Sequence, residues 1–364
     1  MRDYLGPMQP LKIVIATGGT AGHVVPALTI ADALRADGHQ VEFIGADRAE
    51  AELVPAAGFP FHRLSVTGLS RTNPWAALRG VGRAALAVRA AGRLLRQIDP
   101  AVVLGGGGYV AGPVGAAAVV RRIPLVLTEA DSHLGLTNRL LAPVARRVCL
   151  AFPLPGRSEP RYLVTGRPVP APQTDRAGAR ASLGISASER CVLVFGGSLG
   201  ARSVNEAAID GLAGGSFRVL HAAGERDLAA CRQRLGSPPP EGYDLRGYIS
   251  PLADALAACD LVVARSGGSV FEIAAHGKPA LLVPYPHAAA DHQTGNARWM
   301  ADAGAAVVIA DGELTADRLR TEVDNLLADV GRLSQMAEAS AGLARVDAAE
   351  TIAAEVVAAA GARR

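Results

Sequence analysis

Residues 11–26 read LKIVIATGGTAGHVVP, an apolar run followed by Gly18, Gly19, Thr20, Ala21, Gly22, His23 and Pro26. An imidazole titrates near neutrality and can take a proton from a hydroxyl. Glycines let backbone N–H groups approach an anion, and a helix beginning just after them adds its dipole. Taken alone, the stretch fits a ligand loop and a plain turn with a surface histidine equally well. The pattern recurs in AVVLGGGGYVAGP (101–113), with Tyr109, and in CVLVFGGSLGAR (191–202), with Ser198. A denser set follows in ARSGGSVFEIAAHGKPALLVPYPHAAADHQTGNA (264–297). There Ser266, Gly267 and Gly268 open a helix and offer N–H groups to a diphosphate, and Glu272 one turn later can accept from both ribose hydroxyls. Gln293 and Asn296, at the start of the next helix, can bond sugar hydroxyls. Together these residues favour a nucleotide sugar. A rival reading takes Gly106, Gly108 and Ala111 as a GxGxxA dinucleotide fingerprint with Glu129 or Asp131 as its ribose acid. It leaves the other glycine loops idle.

The elements that must hold these loops are legible as alternation. Apolar runs LKIVIA, QVEFIGA, FHRLSV, AVVLG, PLVLT and RVCLA, then CVLVFG, FRVLHAAG, DLVVAR and ALLVPYP, alternate with helical stretches. That order predicts α/β architecture with parallel sheets. At 364 residues the chain exceeds a single core, and the Pro-, Gly- and Arg-rich stretch near 153–178 reads as an interdomain linker. The expected domains are 1–167 and 168–346, with the alanine-rich helix 347–364 packing back on the first. Cys149, Cys191, Cys231 and Cys259 are far apart and form no CxxC pair, so reduced structural thiols are expected and no metal. Nothing approaches eighteen consecutive apolar residues, and MRDYLGPMQP lacks the regions of a signal peptide. Residues 1–170 carry 19 Lys plus Arg against 11 Asp plus Glu, a balance of +8, and the remainder 18 against 23, or −5. A basic first half suits an anionic substrate or membrane surface, and the scarcity of aromatics among the arginines argues against nucleic acid.

GGTAGHVVP, GGYVAGP, GLTNRLL, GGSLGAR, RSGGSVFEIAAHGKPA and HQTGNA, in this order over roughly residues 11–360, resemble the MurG family of UDP-N-acetylglucosamine:undecaprenyl-pyrophosphoryl-N-acetylmuramyl-pentapeptide N-acetylglucosaminyltransferases. The resemblance implies two doubly wound Rossmann-like domains facing a cleft, the GT-B arrangement, and an inverting transfer that requires no metal or cofactor. It places Thr20, Ala21, Gly22 and His23 near the diphosphate and acceptor, with Tyr109 on the second loop and Ser198 on the third. Ile249 would meet uracil through its backbone, Glu272 the ribose, and Gln293 and Asn296 the transferred sugar; Asn138 falls in the matching GLTN segment. Four departures stand out. Asp131 replaces an amide expected at the sugar, and Pro170 replaces an arginine expected at the phosphates. Leu199 replaces a glutamine, and the stretch from Arg265 to Glu272 is one residue short. Arg167, three residues before Pro170, is a candidate for the lost phosphate contact.

The reaction implied is attack of a sugar hydroxyl on the anomeric carbon of UDP-N-acetylglucosamine, with His23 as base and glycine-turn N–H groups meeting the charge on UDP. The expected acceptor is the undecaprenyl-linked muramyl-pentapeptide of peptidoglycan synthesis, and the expected place is peripheral, on the cytoplasmic face of the cell membrane. In 68–97, Trp75 and Leu78 stand among Arg71, Arg79, Arg83, Arg89, Arg93 and Arg96, a mix suited to an anionic interface; beyond Arg83 an ordinary amphipathic core helix is the stronger reading. A transferase acting on another glycolipid or natural product, a UDP-sugar 2-epimerase and a silent UDP-sugar binder stay open.

Overall fold

The structure, a computed structural model, describes residues 9–65, 74–197, 200–288 and 291–361. By its internal contacts the chain divides into unit 1, Met1–Pro170 with Arg345–Arg364, and unit 2, Ala171–Ala344.

Unit 1 holds a seven-stranded parallel sheet of β1 (Lys12–Ala16), β2 (Gln40–Gly45), β3 (Phe61–Arg63), β4 (Val102–Gly105), β5 (Leu125–Glu129), β6 (Arg147–Leu150) and β7 (Tyr162–Val164), in the order β3-β2-β1-β4-β5-β6-β7. Both faces of a parallel sheet are covered by its crossover helices, which is why the central strands read as unbroken apolar runs. Along β1, Ile13 and Ile15 enter the core under the helix Ala21–Ala36, while Val14 and Ala16 enter the core under Pro74–Ile98 and Gly108–Val120. Ala87, Ala91, Leu95 and Ile98 form the buried stripe of Pro74–Ile98, with Arg83, Arg89, Arg93 and Arg96 exposed. This segment is therefore a core-facing amphipathic helix beyond Arg83. Arg71 and the side chains of Trp75, Leu78 and Arg79 lie outside the described residues. The helix Ala348–Gly361 packs against Ala21–Ala36 and places Ile352, Ala353 and Val356 in the same core as Ile13.

Unit 2 holds a six-stranded parallel sheet of β8 (Cys191–Phe195), β9 (Arg218–Ala222), β10 (Tyr243–Arg246), β11 (Leu261–Ala264), β12 (Ala280–Leu282) and β13 (Ala306–Val308), in the order β10-β9-β8-β11-β12-β13. Three strands escaped the sequence reading: β7, β10 and β13 have three or four residues, sit at sheet edges and lack a buried run. The stretch read as linker is corrected accordingly, since β7 and the start of the helix Arg176–Ser182 fall inside it and the chain passes between units at Pro170 and Ala171.

In both sheets the strand order reverses once, between β1 and β4 and between β8 and β11. Ligands of open parallel sheets bind beyond the carboxyl ends of the strands at such a reversal. The four strands at these two reversals are the ones followed by the glycine loops found in the sequence.

A buried polar cluster ties β9 to its neighbours. His221 is fully buried; its Nε2 lies 3.1 Å from Asn205 Oδ1 and its Nδ1 2.9 Å from the Tyr243 hydroxyl. The amide oxygen only accepts, so Nε2 carries the proton and Nδ1 accepts from tyrosine. Burial pushes the imidazole down to about 4. The unfolded chain thus takes up a proton near pH 6.5 that the fold refuses until about pH 4, and stability present at neutral pH is lost over that interval, by about 3 kcal/mol. Urea unfolding at several pH values is expected to show this slope in the parent and a shallower one in His221→Gln. Equal slopes would assign the acid sensitivity elsewhere.

Candidate active site

The first glycine loop leaves β1 through Thr17, Gly18 and Gly19, the last at φ +124°, and enters the helix Ala21–Ala36. Thr20, at the N-cap, makes no side-chain cap bond; the His23 N–H donates to Thr20 O at 3.0 Å, while the N–H groups of Ala21 and Gly22 meet no protein acceptor among the described residues and can serve an oxygen ligand. A fully buried carboxylate shapes the turn from behind. Glu50 accepts the Gly19 N–H through Oε2 and the Ala46 N–H through Oε1, each at 3.0 Å, and so fastens the turns after β1 and β2 to each other. The sequence reading missed it. An acid in the first turn of a helix, here Ala49–Ala56, ordinarily serves the dipole from the surface, and its two partners are backbone groups that no spacing reveals.

The second loop, after β4, packs backbone to backbone on the first. A Cβ at Gly108, which holds φ +77°, would lie 1.8 Å from the Gly18 carbonyl oxygen, and one at Gly107 would lie 2.8 Å from His23 Cδ2. The imidazole is therefore seated against glycine backbone, and its Nδ1 is buried with no hydrogen-bond partner among the described residues. Burial and the neighbouring Arg167 guanidinium hold the His23 imidazole below its ordinary value, against the pull of Asp131 and Glu50. A histidine kept neutral is a base ready to accept a proton. Tyr109 follows on the same loop with the Arg48 guanidinium 5.4 Å from its ring centroid; burial and Glu50 raise its hydroxyl.

At the end of β5, Glu129 accepts from Gly135 N at 2.8 Å, Asn138 Nδ2 at 2.9 Å and Asp131 N at 3.2 Å. Burial raises its carboxyl despite those bonds. The acid that the dinucleotide reading assigned to a ribose is thus spent on its own loop. Asn138, expected at the substrate, gives its amide to Thr128 O and Glu129 and holds the turn. Arg167, expected at the phosphates, donates Nη2 to the Gly22 carbonyl.

In unit 2 the third loop runs through Gly196 and Gly197 to Gly200. Ser198 and Leu199 lie outside the described residues. The fourth loop, after β11, is built from within. The Ser266 hydroxyl donates to Gln293 O at 2.7 Å, and its carbonyl accepts from Asn296 Nδ2 at 3.0 Å. Both residues join the loop to the helix His292–Asp302, and Asn296 Oδ1 is buried without a partner among the described residues. Gln293 accepts the Tyr285 N–H at 3.0 Å, and its Nε2 stands 3.9 Å from where a Cβ on Gly267 would be. The N–H groups of Gly267 and Gly268 meet no protein acceptor among the described residues, and Glu272 lies half-buried one turn on, in Val270–Ala275. Arg265, beside them, bonds Val283 O, Pro284 O and Ser203 Oγ and pairs with Asp311 at 2.6 Å, a brace for the loop that the sequence reading passed over. Ile249, after β10, has a buried side chain. Among the described residues no group of His, Cys, Asp and Glu is placed to hold a metal ion.

Two family models match the chain in order: the glycosyltransferase family 28 N-terminal domain over residues 13–150 and the family 28 C-terminal domain over residues 191–352. A Halorhodospira halophila protein named UDP-N-acetylglucosamine–N-acetylmuramyl-(pentapeptide) pyrophosphoryl-undecaprenol N-acetylglucosamine transferase is 42% identical over 360 residues, covering 95% of this chain and 98% of the relative. A Moorella thermoacetica protein of the same name is 41% identical over 363 residues, covering 94% and 97%. The crystal structure of Acinetobacter baumannii MurG is 30% identical and superposes with a TM-score of 0.78 over 96% of this chain and 99% of that one. Matched end to end and in both domains, the chain belongs to glycosyltransferase family 28, in the MurG branch that its motifs resemble.

Proposed function

We infer that this protein transfers N-acetylglucosamine from UDP-N-acetylglucosamine to the undecaprenyl-pyrophosphoryl muramyl-pentapeptide, with inversion at the anomeric carbon. The observation that carries the reading is identity above 40% to transferases of that name over nearly the full length of both chains. His23 takes the proton of the attacking sugar hydroxyl. As UDP departs, its growing negative charge is met by N–H groups at the glycine loops, donors already oriented before the reaction begins. On unit 1, Thr20, Ala21, Gly22 and Tyr109 serve the acceptor and diphosphate, and Asp131 the sugar. On unit 2, Ser198, Ser266, Gly267 and Gly268 serve the diphosphate, Ile249 the uracil, Glu272 the ribose, and Gln293 and Asn296 the sugar. UDP release measured with and without the lipid-linked acceptor tests the reading. Release that depends on the acceptor and yields the disaccharide lipid supports it, and conversion of the donor to its 2-epimer without acceptor overturns it.

Docking on an anionic membrane belongs to the same reading. No helix among the described residues is long and apolar enough to cross a bilayer. Leu136 and Leu140 are 62% and 69% exposed on one face of the helix Leu136–Leu141, with Arg139 between them. Val144 and Arg146, both exposed, come just after. Apolar side chains beside arginines suit a headgroup boundary. Vesicles rich in anionic lipid are expected to retain the protein at low salt and to release it as salt is added. Equal retention by zwitterionic vesicles would sink the idea.

A further inference from the structure

In the helix Ala21–Ala36 the Gly22 carbonyl should accept the N–H of residue 26, four positions on. Residue 26 is proline and has none. The Gly22 oxygen, one residue before His23, is thereby denied its helical partner, and the Arg167 guanidinium takes the vacated role through Nη2. Arg167 is delivered there by a rigid approach. Thr165 N and Gly166 N both donate to Leu150 O, at 3.0 and 3.2 Å, and the Thr165 hydroxyl bonds Gly166 O at 3.0 Å. Gly166 holds φ +78°, and a Cβ on it would lie 2.5 Å from Arg345 Cβ. From this anchor Arg167 joins His23, Thr128 and Glu129 in lining one small cavity under the first loop.

We propose that Arg167 is a positioning residue for His23: by bonding the carbonyl that Pro26 frees, it fixes the first turn of the helix and the imidazole that turn carries. The role rests on His23 being the base of the transfer proposed above. It differs from a phosphate contact in where it is felt. A phosphate ligand acts on the donor, whereas a brace on the base acts on turnover. The charge of Arg167 has a second effect, on the protonation of the base. The charged groups around the imidazole are Arg167 after β7, Glu129 at the end of β5, Asp131 just beyond it, and Glu50 at the start of Ala49–Ala56. Burial and Arg167 favour the neutral ring, while Asp131 and Glu50 oppose them. Removing the cation raises the imidazole, so its neutral form appears only at higher pH.

The test compares the parent with Arg167→Gln and Arg167→Lys in the full chain. Nuclear magnetic resonance follows the His23 ring without substrate, the signal being assigned by its loss in His23→Gln. Steady-state UDP release with the lipid-linked acceptor gives kcat and the donor KM against pH. Arg167→Gln is expected to titrate His23 at higher pH, to move the acid limb of the rate profile the same way, and to lower kcat by about tenfold or more, as misplaced catalytic groups do, with the donor KM little changed. Arg167→Lys keeps the cation and one donor, so it should hold the parent's titration and recover part of kcat; it also carries the comparison if the glutamine variant does not fold. An unchanged His23 titration in Arg167→Gln, or a loss confined to the donor KM, overturns the proposal. Failure of the parent to form product would instead strike the transferase reading, since the ring titration needs no reaction.

Discussion

Changing His23 to glutamine is expected to lower kcat roughly 10²- to 10⁴-fold, the usual contribution of a general base, while the affinity for UDP-N-acetylglucosamine stays near that of the parent. The imidazole lies on a turn held independently of it: the Gly107 backbone is against Cδ2, and the Glu50 carboxyl fastens the turn from behind. The substitution therefore removes a proton acceptor and leaves the frame standing. A group needed only as the proton moves appears in turnover and not in ground-state binding. Calorimetric donor binding together with single-turnover rates separates the two. A glutamine variant with the parent's rate would make His23 a structural residue of the loop.

A second large effect is expected from Gly108→Ala. The added methyl would sit 1.8 Å from the Gly18 oxygen and 2.8 Å from its carbonyl carbon, at φ +77°. The obstacle is backbone, which cannot swing aside as a side chain does, and the left-handed conformation costs an L-residue about 1–2 kcal/mol more. The second loop must then lift off the first, and the seat of His23 opens. Turnover should fall more than about 100-fold, with a clear drop in the melting temperature of unit 1. Gly92→Ala, in the helix Pro74–Ile98 with nothing within 4 Å of its new methyl, is the matched control and should be neutral or stabilising by about 0.5–1 kcal/mol. Parent-like turnover in Gly108→Ala would show that the loops separate without consequence.

These two glycines also mark the limit of what could be read beforehand. Runs such as KIVIA and CVLVF announce their strands, because a strand covered on both faces must be apolar throughout, and glycine after each run announces a turn. Which glycine presses on which carbonyl is a relation between residues 90 apart, Gly18 and Gly108, and spacing says nothing of it. Short edge strands escape for a related reason. YDLR in β10 owes its place to pairing with β9, not to its own composition. The site shows the same division. His23 stands out by its type and setting and Arg167 by its place near Pro170, but Glu50 looks like an ordinary surface charge until the Gly19 N–H is seen, and spacing does not reveal that Arg167 bonds the Gly22 carbonyl. Asn138 and Asn296 show the converse, since an amide that suits a sugar also suits a backbone carbonyl: each gives its Nδ2 to one, Thr128 O and Ser266 O.

The helix Ala348–Gly361 gives the chain an order of assembly. Ile352, Ala353 and Val356 belong to the core that Ile13 and Ile15 begin, so that core closes only after the whole of Ala171–Ala344 has been synthesised. On the ribosome, unit 2 can complete its sheet while unit 1, begun first, still exposes the side of its sheet next to Ala21–Ala36. Domains generally fold as units and in the order they emerge; here the insertion reverses that order. The half-built unit 1 is the species that chaperones would meet.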